Sequence, residues 1–125
     1  MIKKRDNKAR MFHLSYDKKH EEDDSDILKK DIIWSILDLD INSIIKAPVA
    51  STITIESHQD YEKWESMFNI KYKQRMYYVI SETRQKEESY FMDIELNEEM
   101  NNAFTDKVIS IQQEILRFRK HAGNN

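Results

Sequence analysis

The chain reads as an α+β domain, and three observations carry that reading. Residues 10–17, 49–56 and 75–82 alternate side-chain character with a period of two, as strands do. Residues 27–40, the stretch beginning at Ser57, and residues 98–122 instead repeat apolar side chains at steps of three and four, as amphipathic helices do. Gly and Pro occur once each in 125 residues, so regular elements dominate and tight glycine turns are scarce.

In the first strand, Phe12, Leu14 and Tyr16 point one way and Met11, His13 and Ser15 the other. Apolar bulk on both faces predicts an inner strand covered by helices on one side. The pattern stops at Asp17, where an acidic loop from Glu21 to Asp26 begins to turn the chain. That loop lacks the glycine and the alternating oxygen ligands of a calcium site, and it reads as a solvated turn with Ser25 or Asp26 capping a helix. The helix over 27–40 carries Leu28, Ile32, Ile33, Ile36 and Leu37 on one face, with Trp34 on its flank. Ile41 to Lys46 has the apolar content of a short strand, Pro48 interrupts pairing, and Val49, Ser51, Ile53 and Ile55 mark a further strand.

Ser57 and Asp60 have the spacing of a capping box, so a second helix is expected there, with Tyr61, Trp64 and Phe68 on one stripe. An aromatic stripe at that spacing belongs to a core rather than to a base-stacking platform. In the strand over 75–82, Tyr77 and Val79 oppose Met76, Tyr78 and Ile80. Residues 90–96 alternate again and predict a hairpin partner for it across a loose loop. Asn97 is placed to cap a long last helix, in which Met100, Phe104, Val108, Ile111, Ile115 and Phe118 form a heptad-like seam widened by Ile109 and Leu116. Such a seam exceeds what a small sheet can cover, so a homodimer is expected, with Ile111 and Ile115 at its interface.

Bulk composition bounds the function. The length suits a single domain, with a basic arm over residues 1–9 and a folded unit over 10–122. There is no cysteine, which excludes disulfides and thiolate chemistry and fits a cytoplasmic setting. No apolar run approaches the roughly 20 residues that cross a bilayer, and no signal-peptide pattern is present. A net charge of −3 disfavours general coating of nucleic acid but leaves room for local contacts. Lys3, Lys4, Arg5 and Lys8 are the candidates for contacting RNA or DNA phosphates. The histidines show no zinc spacing, and no phosphate-cradling glycine loop or nucleophile elbow occurs.

The order strand, helix, strand, strand, helix, strand matches a ferredoxin-like split βαβ sandwich, with residues 10–82 as the core and an appended strand and long helix over 90–122. At this point a family resemblance enters. The strand ending in Ser15, Tyr16 and Asp17 resembles the start of the small subunit of the CRISPR adaptation complex and of the virulence-associated protein D ribonucleases. Residues 51–57, the helix after them and residues 74–81 are similar in order and spacing, so the resemblance spans about Met11 to Glu82. It implies a homodimer in which the strand-end Asp of each copy faces its twin and the pair holds a divalent metal for phosphodiester cleavage.

Carried over, Asp17 alone matches, as catalytic residue and as metal ligand. Two facing carboxylates repel unless a proton or a cation lies between them, and Mg2+ suits such a site because it needs few protein carboxylates. The chain departs from the family pattern in its acidic loop and its large C-terminal helix. Two readings therefore stand after the sequence. One is a dimeric, nucleic-acid-linked ferredoxin-like protein, either a metal-dependent ribonuclease or a catalytically silent relative. The other is a non-enzymatic protein-binding module of the inhibitor, immunity or antitoxin type from a mobile element.

Overall fold

The computed structural model describes residues 9–83 and 98–123. In chain order they form β1 (Arg10–Lys18), α1 (Ser25–Leu39), β2 (Ile44–Val49), β3 (Thr52–Ser57), α2 (Tyr61–Tyr72), β4 (Met76–Thr83) and α3 (Glu98–Gly123). The strands make one four-stranded sheet in the order β2-β3-β1-β4, with every neighbouring pair antiparallel. Each strand–helix–strand crossover therefore skips one strand, which is consistent with the split βαβ arrangement expected from the sequence. β1 is an inner strand, flanked by β3 and β4. The basic arm and the strand expected over 90–96, with its hairpin, lie outside the described residues, as does Asn97.

Register explains which side chains reach the core. Phe12 and Leu14 of β1 oppose Ile55 and Ile53 of β3, and Leu14 opposes Ile80 of β4, all on one face. Onto that face α1 lays Leu28, Ile32, Ile33, Ile36 and Leu37, and α2 lays Trp64, Phe68 and Tyr72. Trp64 packs between Phe12 and Phe68 at ring-centre distances of 5.9 and 6.5 Å. Removing these side chains from water supplies the main driving force, about 1.5–3 kcal/mol for each large apolar group. A buried hydrogen bond of 2.7 Å between the hydroxyls of Ser35 and Tyr72 joins the two helices.

α3 extends the helix layer beyond β2. Phe104 and Ile115 enter the core, while Val108 and Ile111 pack against it half-buried. The Asn101 side chain accepts from the backbone N–H of Ala47 at 3.3 Å, Gln112 donates to the carbonyl of Ile41, and Arg119 donates to the carbonyl of Asp38. These contacts set α3 antiparallel to β2 and alongside α1. Phe118, expected in the seam, is 71% exposed, one turn after the last buried contact at Ile115.

Local details differ from the sequence reading in instructive ways. The cap of α1 is Asp24, whose carboxylate accepts from the backbone N–H of Asp26 and Ile27; neither Ser25 nor Asp26 caps it. The strand expected from residue 49 divides, because Ala50 and Ser51 turn the chain between β2 and β3. Pro48 sits in β2, an outer strand whose pairing slips between Lys46 and Val49, as a missing backbone donor requires. Ser57 is no helix cap: its hydroxyl donates to Asp40 and accepts from the backbone N–H of Gln59, while Asp60 stands at the helix entrance.

Candidate functional site

The helices cover one face of the sheet. The other face carries Met11, His13, Ser15 and Asp17 from β1, Thr52, Thr54 and Glu56 from β3, and Tyr77, Val79, Ser81 and Thr83 from β4. Tyr77 and Val79 are 65% and 66% exposed there, an unusual position for large side chains on a sheet. At the other side of this face, Ile44 and Val49 of β2 are also exposed.

Asp17 lies at the end of β1, directly across from Tyr77. It opens onto a shallow depression of about 310 Å³ shared with Ser15, Ser51, Thr52, Tyr77 and Val79. The surroundings are hydroxyls: Ser15 and Thr52 lie 3.3 Å apart, oxygen to oxygen, and the Tyr77 phenol is on the same face. The nearby lysines serve the backbone. Lys18 donates to the carbonyls of Glu21 and Asp23, at 3.1 and 3.2 Å, and so shapes the acidic loop. Lys19 donates to the carbonyl of Lys73 while its ammonium stands 5.0 Å from the centre of the Tyr77 ring. His20 bonds the carbonyl of Gln74. The rim around Asp17 is thus braced on both sides.

The depression supplies one carboxylate. Among the described residues, no three His, Cys, Asp or Glu side chains come together as a metal-binding group. Asp17 with hydroxyl neighbours fits Mg2+ only as half of a site, whose other half would come from a second copy. His13 lies four residues before Asp17 on the same face, half-buried, with its ring Nδ1 3.1 Å from the Thr83 hydroxyl. Burial holds its pKa below the ordinary 6.5, so it is neutral near pH 7. Tyr16, on the core face, is pushed up to about 12 by burial and stays a phenol.

Of the other candidates, Lys3, Lys4, Arg5 and Lys8 lie outside the described residues. Ile115 is 2% exposed and Ile111 half-buried, both turned into the chain's own core, so the apolar groups α3 leaves to solvent are Ile109, Leu116 and Phe118. The sequence reading passed over Tyr77 as a surface group. Its signal was present in the alternation of β4, because a residue opposite Met76 and Ile80 must face away from the helices. No helix among the described residues is long and apolar enough to cross a membrane. Comparison of the chain with known protein families, curated proteins and solved structures gives no match.

Proposed function

We propose that the protein is a ferredoxin-like, nucleic-acid-linked binding protein that takes single-stranded RNA on the sheet face opposite its described helices. It is a catalytically silent relative of the metal-dependent ribonucleases that its first strand resembles. The observation that carries this reading is Tyr77, a phenol ring left 65% exposed on a rigid strand. Each base has a flat apolar face, and stacking one on an aromatic side chain is worth about 1–3 kcal/mol. Val79 extends the platform on the same face. The hydroxyls of Ser15 and Thr52 can donate to or accept from base edges, and the Asp17 carboxylate can accept from an exocyclic amine. Lys19, over the Tyr77 ring, and exposed Lys46, opposite Thr54, supply cations for a phosphate chain crossing this surface. Asp17 is the one carboxylate among the described residues lining the depression, which supports binding without cleavage.

Titration of a labelled single-stranded RNA by fluorescence anisotropy at low salt tests the proposal. Tyr77→Ala should weaken binding by roughly 5- to 150-fold, the equivalent of one lost stack, with an unchanged circular dichroism spectrum. Wild-type protein that binds no RNA at low salt would overturn it. A second reading rests on a different surface. Ile70 of α2 is 78% exposed beside a groove formed with Leu39 and Met67, which suits a protein partner of the inhibitor, immunity or antitoxin kind.

A further inference from the structure

The outward face of α3 carries an ordered set of side chains that neither the core nor the proposed RNA surface uses. Ile109 and Leu116 are 47% and 49% exposed. They lie seven residues apart and so on one face, about 100–140° around the helix from buried Phe104 and Ile115. Gln113 falls on the same face between them. Asp106 lies seven residues before Gln113 and Lys120 seven after it, each about 10 Å along the axis. Both are exposed, and neither joins an ion pair among the described residues.

This series of acid, apolar, amide, apolar, base is complementary to itself when reversed. We propose that two copies of the chain pair through α3, antiparallel, about a two-fold axis passing near Gln113. In that arrangement Asp106 of one copy meets Lys120 of the other at both ends of the contact. Ile109 of one copy packs near Leu116 of the other, on both sides of the axis. A parallel arrangement would set Asp106 against Asp106 and Lys120 against Lys120, so charge selects the antiparallel form. The rest of the helix has the same polarity, with Glu98 and Glu99 in the first turn and Lys120 and His121 in the last. The two Gln113 amides, each with donors and an acceptor, can bond to one another across the axis.

The pairing has a structural consequence. α3 belongs to the helix layer, whereas Asp17 and Tyr77 lie on the opposite face of the sheet. The dimer therefore forms on the side of each sheet away from Asp17 and Tyr77 and keeps the two Asp17 carboxylates apart. It presents two copies of the Tyr77 surface rather than one shared site. The inference does not rest on the RNA reading, since mass and RNA affinity are measured separately.

The test is sedimentation velocity over a concentration series from low micromolar upward, because a contact limited to one helix face is small and its dimer weak. The wild type should shift from monomer to dimer mass. Leu116→Glu should raise the dissociation constant at least about tenfold, with helicity and melting temperature unchanged. Asp106→Lys and Lys120→Asp should each weaken the dimer, and the double exchange should restore it. A wild type that remains monomeric throughout, a Leu116→Glu protein that dimerises as the wild type does, or a double exchange no better than its singles would each overturn the proposal.

Discussion

Replacing Tyr72 by Phe removes one hydroxyl from the seam between α1 and α2. Its partner is the Ser35 hydroxyl at 2.7 Å, and the two residues are 2% and 6% exposed. The two halves of the bond respond differently to loss of the other. Ser35 sits inside α1, where a serine without a partner can turn its hydroxyl to a carbonyl one turn back. Tyr72→Phe should therefore cost about 1 kcal/mol, near the usual net value of a hydrogen bond. The Tyr72 ring is held by Phe68, 6.0 Å away, and by the Arg75 guanidinium 5.6 Å from its centre, so its hydroxyl cannot redirect. Ser35→Ala strands that hydroxyl in the core and should cost about 2 kcal/mol. The double variant strands nothing, so its cost should fall short of the sum by about 1 kcal/mol or more. At this chain length each kcal/mol corresponds to about 3–6 °C in melting temperature. Urea denaturation of the four proteins closes the cycle. Additive costs, with no coupling between the sites, would refute the assignment of this bond as the tie between the helices. The Arg75–Asp31 ion pair nearby, at 2.9 Å, is solvent-exposed and adds little to this sum.

Two further outcomes concern the sheet face opposite the described helices. Asp17→Asn should change stability by less than about 1 kcal/mol, because the carboxylate sits in an open depression at a strand end. Neither the wild type nor this variant should cleave RNA with Mg2+ or Mn2+; cleavage by the wild type that the substitution abolishes would restore the ribonuclease reading. For His13, the folded pKa lies below the unfolded 6.5, so the unfolded chain binds its proton first. The stability linked to it is present above pH 6.5 and is lost as pH falls through that value. Denaturation midpoints of the wild type should decline from pH 7 to pH 5.5 more steeply than those of His13→Gln.

Periodicity alone placed β1, α1, β4 and α3 within a residue or two, since burial on one side of an element leaves its period in the sequence. It also separated Tyr77 and Val79 from Met76 and Ile80, and it set Phe104 and Ile115 on one apolar seam, with Ile115 expected at a dimer interface rather than in the chain's own core. Only the folded chain decided the rest. Asp24, rather than its neighbours, caps α1 because of where the loop arrives, and acidic residues that alternate as caps look alike in sequence. Ser57 resembled a helix cap, yet Asp40, seventeen residues earlier, claims its hydroxyl. The heptad-like seam of α3 could not tell which apolar groups its own sheet would cover. Phe118 continues the stripe of Ile111 and Ile115 but has outrun the core, whereas Ile115 is sealed by it. Local pattern records which side of an element is apolar. Which other element meets that side, and for how many turns, depends on partners distant in the chain, and that information exists only in the packed structure.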